Sequence, residues 1–284
     1  WPEPVDGIVT NGLTEEFVID YTPQLKEQAM VILNGYRVGG LYVPALPQGH
    51  ENDYINNIGC IGGGNVIPHP PVGDPSTGLM FASHARNCFA PGFMRPTNGV
   101  DRDNPNYPIP GQGGVTPNST PTTGKTVVAW LPGGGGGLPT IDGLRVFKPM
   151  DNQLTAYQMN SGEKAWSMAV GPTPDSIKNH PLLEGVDVPD TGGVGWSIQM
   201  VMDDLLVQTR AMSEGGVQQI PDAPLTLNAR DKFTGEIVGS VPLPAPGQYG
   251  MMTYMHQGKH YIVVQIGSSR TDFPAALVAY RLPN

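Results

Sequence analysis

The sequence has few charged residues, few cysteines and no long apolar run. Asp, Glu, Lys and Arg make up 14% of its 284 residues, and the net charge is −9. An acidic protein repels a polyanionic backbone, so nucleic acid is not an expected partner. No stretch approaches ~18 consecutive apolar residues, so we expect no membrane-spanning segment. Segments with helical periodicity are also scarce, which indicates a mostly β protein.

The two cysteines, Cys60 and Cys88, are too few for a disulfide scaffold. Their flanking segments could form adjacent strands, which would allow a disulfide bond in an oxidising compartment. Two buried thiols are the alternative, and the sequence leaves both interpretations open. The spacing of the two cysteines does not indicate a metal site.

Turn-forming residues are abundant, with 38 glycines and 30 prolines. They separate short apolar runs, most of which have the length of an ordinary strand. The pattern therefore predicts an all-β fold with many tight turns. The clearest runs are residues 78–83, 126–131, 154–157, 165–170, 205–209, 225–229 and 261–266.

One short helical segment is predicted near the N-terminus. Thr22 is a good N-cap residue, and Pro23 stands at the first helical position, where its missing N–H costs nothing. Apolar residues recur at helical spacing up to Leu33, and Asn34-Gly35 ends the run. The sequence therefore predicts a helix of about three turns that begins after Thr22.

An internal repeat relates residues 154–170 to residues 227–243, which lie 73 positions later. Both segments have two strand-like runs joined by a Ser/Thr-Gly-Glu turn, which is the pattern of a β-hairpin. Trp166 of the first copy could pack between neighbouring sheets, whereas the second copy has Gly239 at that position and should dock more weakly. Hairpins repeated at this spacing in a β-rich chain favour a β-propeller.

An ordered series of segments resembles pyrroloquinoline quinone (PQQ) dependent alcohol and glucose dehydrogenases. Residues 143–170 resemble the tryptophan-docking blades of that family, and residues 171–185 resemble its loop between blades. Residues 229–267 are similar to the last blades, and residues 15–46 resemble a helical segment between blades. Each turn motif is weak by itself, but the same order of several motifs is specific.

The resemblance implies an eight-bladed β-propeller that holds PQQ on its axis beside a Ca²⁺ ion. We expect about three blades in this chain, within residues 60–284, preceded by an interblade segment at residues 1–59. Residues 95–125 are expected to form a long insertion loop. An isolated arc would expose open sheet edges, so we expect the other blades to come from a companion chain or an N-terminal half.

The resemblance also implies a function. The expected reaction is oxidation of an alcohol, sugar or aldehyde, with hydride transfer to PQQ and electron transfer to a quinone or cytochrome. The family's catalytic Asp and most of its Ca²⁺ ligands come from upstream blades, so no catalytic or metal-binding residue is assigned here. A periplasmic or secreted location is expected. The alternative is a non-catalytic propeller module for binding or assembly that has lost the cofactor.

Three residues are candidates for cofactor binding through the same resemblance. Asn65 precedes a predicted blade, and its amide could donate to and accept from the quinone oxygens. Trp196 precedes a predicted inner strand, and its indole could pack against the flat quinone. Lys148 lies in a Phe-Lys-Pro turn and could neutralise a PQQ carboxylate. The alternatives are an ordinary turn asparagine, a core tryptophan and a solvated lysine.

Overall fold

The computed structural model forms two compact units, each built from separate stretches of the chain. The first unit comprises Trp1–Val9, Gly62–Asn87 and Pro149–Asn284, and the second comprises Thr10–Ile61 and Cys88–Lys148. The structure describes residues 15–38, 56–58, 71–84, 88, 93–94, 131–132, 138–148, 152–192, 196–211, 225–267 and 274–282. Most of the predicted strand at residues 126–131 and the whole predicted loop at residues 95–125 lie outside these residues.

Strands predominate over helices in the described part of the chain, so the predicted all-β class is confirmed. The helices are α1 (Pro23–Leu33) and α2 (Asp175–Lys178), with 3-10 turns at Glu15–Phe17 and Pro181–Leu183. The strands are β1 (Tyr36–Arg37), β2 (Asn56–Asn57), β3 (Val72–Asp74), β4 (Leu79–His84), β5 (Phe93–Met94), β6 (Leu131–Pro132), β7 (Thr140–Ile141), β8 (Leu144–Arg145), β9 (Gln153–Gln158), β10 (Lys164–Ala169), β11 (Trp196–Met202), β12 (Leu205–Ala211), β13 (Thr226–Asp231), β14 (Ile237–Pro242), β15 (Gly247–His256), β16 (Lys259–Ile266) and β17 (Ala276–Arg281).

The second unit contains the predicted helix. Helix α1 begins after Thr22, whose Oγ1 accepts a hydrogen bond from the backbone N–H of Leu25 at 3.2 Å. This bond satisfies one of the N–H groups that the first helical turn leaves unpaired. Leu25, Ala29 and Leu33 are buried, so one face of the helix packs inside the unit. The predicted helix and its N-cap are therefore confirmed.

The rest of the second unit is made of short paired strands. β1 pairs in parallel with β2, while β5 pairs with β6 and β7 with β8 in antiparallel fashion. Residues 17–19 run alongside residues 146–148, with a bridge between Val18 and Phe147. Cys88 is disulfide-bonded, and Cys60, the other cysteine of the chain, lies outside the described residues.

The first unit contains three successive antiparallel arrangements of strands. β3, β4, β9 and β10 form a four-stranded sheet in that order from one edge to the other. β11 to β14 form a four-stranded meander, and β15 to β17 form a three-stranded one. A single parallel bridge between Ala211 and Gly247 links the two meanders. Four-stranded meanders in series are the building units of a β-propeller, and the number of blades stays a prediction.

The sheet β11–β14 contributes to two separate hydrophobic cores. Leu206 packs with Phe81 and Leu154 of the preceding sheet. Val207, the next residue, packs with Val264 of the following sheet. Because successive side chains of a strand point to opposite faces, both faces of this sheet are covered by neighbouring sheets. This face-to-face stacking is the arrangement expected within a propeller.

Trp166 docks between neighbouring sheets, as the repeat predicts. Its indole Nε1 donates to the carbonyl oxygen of Lys232 in the β13–β14 turn at 3.1 Å. The ring centroid lies 5.9 Å from that of Phe81, and the planes are tilted by 41°. At Gly239, the equivalent position of the second copy, an added Cβ would meet only the Ala229 Cβ at 3.9 Å. β14 is exposed along its whole length.

A buried ion pair joins the sheets at the end formed by the turns at residues 75–78, 159–163, 203–204 and 232–236, which we call the turn end. Lys232 Nζ lies 2.7 Å from Asp74 Oδ2, and the two side chains are 4% and 7% exposed. Lys232 also donates to the backbone carbonyl of Asp203. Hydrogen bonds from Lys232, Ser76 and Thr77 hold the pKa of Asp74 well below its usual range.

The Asp74–Lys232 pair should make stability depend on pH in acid. Because the folded-state pKa of Asp74 is lowered, its contribution is complete above about pH 4 and is lost progressively as the pH falls below that value. We expect Asp74→Asn to be less stable than wild type at pH 7 and to lose less stability between pH 5 and pH 3. Urea unfolding at several pH values tests this, with the exposed Asp187→Asn as the control. Parallel pH profiles for wild type and Asp74→Asn would contradict the prediction.

Candidate functional site

Buried polar side chains cluster at the opposite end of the first unit, where β4 and β12 end and β9 and β11 begin. We call this the loop end. Its side chains are amides and hydroxyls, and each is at most 8% exposed. They face the gap between the sheets β3–β4–β9–β10 and β11–β14. The residues are Ser83, Asn152, Ser197, Gln199 and Gln208.

Four of these residues form a closed hydrogen-bond network. The backbone N–H of Ser197 donates to Ser83 Oγ at 3.0 Å, and Ser83 Oγ donates to Asn152 Oδ1 at 3.1 Å. Ser197 Oγ accepts from Asn152 Nδ2 at 3.3 Å and from Gln208 Nε2 at 3.1 Å. Buried polar groups that satisfy one another in this way fix a single arrangement of the strands that carry them.

Arg230 extends the network towards the turn end. Its Nε donates to Gln208 Oε1 at 3.2 Å, and its Nη1 donates to the carbonyl oxygen of Gly235 at 2.8 Å. Burial lowers the pKa of Arg230, but a guanidinium stays protonated in proteins. A continuous polar path therefore runs from Ser197 at the loop end to the turn on which Trp166 docks.

The segment that leads to β11 packs closely on the start of β9. Gly192 has a φ of +87°, and a Cβ at this position would lie 2.1 Å from the carbonyl oxygen of Asn152. Gln153 Nε2 donates to the carbonyl oxygen of Thr191 at 3.3 Å. The N–H of Thr191 donates to Thr173 Oγ1 at 3.1 Å. The approach to β11 is thus anchored to the start of β9 and to the segment that follows β10.

The structure describes the three predicted cofactor residues to different extents. Asn65 lies outside the described residues. Trp196 begins β11, where its backbone pairs with that of Ala211, and its side chain lies outside the described part. Lys148 belongs to the second unit, where its Nζ lies 3.1 Å from Asp20 Oδ2. The cofactor-binding roles of all three residues stay predictions.

The Lys148–Asp20 pair is partly open to solvent, with side chains 33% and 43% exposed. Exposed ion pairs of this kind contribute about 0–1 kcal/mol. The backbone of Lys148 is held more firmly, because its N–H donates to the carbonyl oxygen of Phe17 at 2.8 Å. An anionic ligand would therefore compete with Asp20 for the ammonium group of Lys148. The backbone of Lys148 would stay in place.

Comparison with known families identifies the chain. The family described as "PQQ: Glucose/ethanol/alcohol dehydrogenase, beta-propeller domain" matches residues 2–262. The chain belongs to this PQQ dehydrogenase family. The resemblance on which the sequence analysis relied is therefore confirmed, and so is the propeller type of fold.

Several known proteins are similar to this PQQ dehydrogenase family member. The glycerol dehydrogenase large subunit of Gluconobacter oxydans (strain 621H) is 30% identical over an alignment of 197 residues, which covers 64% of this chain and 23% of that protein. The quinohemoprotein alcohol dehydrogenase of Comamonas testosteroni matches 75% of this chain and 25% of its own, with 15% identity and a TM-score of 0.40. A second quinohemoprotein alcohol dehydrogenase, from Pseudomonas putida HK5, matches 73% and 22%, with 15% identity and a TM-score of 0.36. The chain thus spans about a quarter of the length of these relatives.

One unpaired donor of the first unit, Gln248 Nε2, fits an oxygen-rich ligand such as PQQ, whereas the unpaired Gln199 Oε1 is an acceptor. Gln199 Oε1 and Gln248 Nε2 are buried and find no hydrogen-bond partner within the described part of the chain. Buried polar atoms are rarely left unpaired in proteins. Gln248 follows Gly247 at the start of β15, and its amide N–H could donate to a quinone or carboxylate oxygen.

The described residues offer no cluster of metal ligands. No group of three or more His, Cys, Asp or Glu side chains is arranged there to hold a metal ion. Ca²⁺ prefers six to eight oxygen ligands, so no described residue is assigned to calcium. No helix in the described ranges is long and apolar enough to cross a membrane.

Sequence reasoning missed the polar cluster at the loop end. A signal for it exists in β11, where Ser197 and Gln199 alternate with Ile198 and Met200. Such alternation assigns the polar pair to one face of the strand and the apolar pair to the other. It could have indicated a polar layer between two sheets, although not the partners of Ser197.

Proposed function

We propose that this chain is part of a PQQ-dependent dehydrogenase that oxidises an alcohol, a sugar or an aldehyde. The family match over residues 2–262 carries this proposal. When bound, PQQ would supply the hydride acceptor, and the protein would supply binding and orientation. The buried hydrogen-bond network of the loop end is consistent with this role, because it fixes the start of β11, which carries Trp196.

The residues proposed to hold PQQ are Asn65, Trp196 and Lys148. The Asn65 amide would contact the quinone oxygens, and the Trp196 indole would pack against the ring system. Lys148 would exchange its contact with Asp20 for a PQQ carboxylate. The unpartnered amide of Gln248 is a further candidate donor. Ca²⁺, if it accompanies PQQ, would take its ligands mainly outside this chain.

The outer face of the sheet β15–β17 supports the proposal of a companion. Met252, Tyr254 and Leu277 are 56%, 39% and 73% exposed, and the strand register puts them on the face opposite the core. A contiguous exposed apolar face usually marks an interaction surface. We propose that another sheet covers it, from a companion chain or from an N-terminal half. The name of the relative from Gluconobacter oxydans, a large subunit, agrees with a multi-chain enzyme.

We propose a periplasmic or secreted location because of the disulfide bond of Cys88. Disulfide bonds persist in oxidising compartments and are rare in the cytosol. Cys88 is disulfide-bonded, which favours a compartment outside the cytoplasm. We propose a quinone or a cytochrome as the electron acceptor.

The proposal is tested on the native assembly, isolated with any chains that accompany it. We expect PQQ to be extractable from it, and we expect dye reduction with alcohols or sugars after addition of PQQ and Ca²⁺. Absence of PQQ from the native assembly, together with no dye reduction by any substrate tested, would exclude the dehydrogenase and favour a non-catalytic propeller module.

The contribution of Lys148 has its own test. Loss of a charge-assisted hydrogen bond costs about 1.5–3 kcal/mol, so Lys148→Ala should weaken PQQ binding about tenfold or more. Lys178→Ala removes an exposed lysine of the first unit and serves as the matched control. Equal PQQ affinity in Lys148→Ala and Lys178→Ala, measured by titration of the cofactor-depleted protein, would remove Lys148 from the site.

A further inference from the structure

We propose that Ser83, Asn152, Ser197 and Gln208 act as a positioning device for Trp196. We call these four residues the β11 clamp. The inference rests on the proposed function, because it assigns the clamp the task of fixing a residue proposed to contact PQQ. Residues of the clamp would act through the start of β11 and would not touch the cofactor themselves.

The backbone N–H of Ser197 bonds across the gap between two sheets. Within the described residues β11 pairs only with β12, so the other edge of β11 has no neighbouring strand. Buried backbone N–H groups need a partner. The N–H of Ser197 finds one in Ser83 Oγ at 3.0 Å, on a strand of the preceding sheet. The main chain one residue after Trp196 is thus tied across the gap between the sheets.

Three strands meet at Ser197 Oγ. Asn152 approaches from the start of β9, and Gln208 approaches from β12. Asn152 and Gln208 are both 0% exposed, and so is Ser197. One hydroxyl therefore joins three strands of two sheets. The site is shielded from solvent, and a fully paired hydrogen-bond network is rigid in such a place.

The clamp adds polar contacts that core packing does not require. Apolar side chains fill the rest of this gap, including Leu79, Phe81 and Leu206. Polar residues at the same depth add geometric specificity that an apolar filling does not supply. The clamp lies at the loop end, beside the strand start that carries Trp196, which is where a cofactor contact would need a fixed backbone.

The test is a double-mutant cycle in the native assembly. Ser197→Ala removes the central hydroxyl, and Trp196→Ala removes the proposed packing contact. We expect each single variant to weaken PQQ binding about tenfold, and we expect the double variant to bind no more weakly than Trp196→Ala alone. We also expect faster hydrogen exchange in the peptide that spans residues 193–200 of Ser197→Ala. A role in stability alone would leave PQQ affinity unchanged.

Matched variants keep the test decisive. Thr155→Val removes a buried hydroxyl that bonds His84 and Ser167 outside the clamp, and it should leave PQQ affinity unchanged. Ser83→Ala removes the acceptor of the Ser197 N–H together with the donor to Asn152 Oδ1, and it serves if Ser197→Ala does not fold. Additive losses of affinity, or unchanged exchange at residues 193–200, would overturn the positioning role. No PQQ binding by the wild-type assembly would instead overturn the proposed function.

Discussion

Replacing Gly192 with alanine should lower the free energy of unfolding by about 3 kcal/mol or more. Two penalties add at this position. The backbone of Gly192 is in the left-handed region, with a φ of +87°, which an L-residue adopts only with strain. In addition, the new Cβ would lie 2.1 Å from the carbonyl oxygen of Asn152 and 2.7 Å from its backbone nitrogen. Neither atom can move without shifting the start of β9.

Gly185 offers a matched control for this change. It also has a positive φ, +75°, but no atom lies within 4 Å of an added Cβ. Gly185→Ala should therefore cost only the backbone strain, about 1–2 kcal/mol. Urea unfolding of the two variants separates strain from steric overlap. Equal losses of stability in both variants would mean that the contact between Gly192 and Asn152 does not constrain the fold.

Replacing Trp166 with alanine should cost about 3 kcal/mol in the free energy of unfolding. The change removes the packing on Phe81 and opens a cavity beside the β13–β14 turn. It also leaves the carbonyl oxygen of Lys232 without the indole N–H that now donates to it. The loss should appear as a lower urea midpoint with little change in the slope.

Trp166→Phe separates the two contributions of the indole. Phenylalanine keeps an aromatic ring against Phe81 but has no N–H to donate, so we expect a loss of only about 1 kcal/mol. If Trp166→Ala is no less stable than Trp166→Phe, the packing between the sheets contributes nothing measurable. That result would contradict the assignment of Trp166 as a docking residue.

Features encoded by neighbouring residues could be predicted from the sequence. Thr22 and Pro23 mark the start of α1 because capping and proline geometry act within one turn. The hairpin β9–β10 follows from two apolar runs around Gly162, whose φ is +75°. Trp166 follows Gly162 by four residues, and this position in the repeated hairpin predicted that it packs between sheets. For α1 and the hairpin, the physical cause lies within a few residues of the feature.

Features that depend on distant residues could not be predicted. Lys232 and Asp74 are 158 residues apart, and Ser197 and Ser83 are 114 apart. No local pattern pairs them, because their meeting depends on the stacking of whole sheets. Lys148 shows the same limit, since a Phe-Lys-Pro turn does not reveal a carboxylate partner 128 residues away. The family resemblance supplied Asn65, Trp196 and Lys148 as candidates, and the structure supplied the contact of Lys148 with Asp20.

The two-sided burial of the sheet β11–β14 affects how the first unit should unfold. Leu206 and Val207 belong to different cores. If this sheet detached from one neighbour, one of its apolar faces would therefore be exposed to water. Loosening at either outer sheet would therefore be transmitted through the middle one. The unit should melt in one cooperative step, and fragments cut between β10 and β11 should not persist as folded pieces.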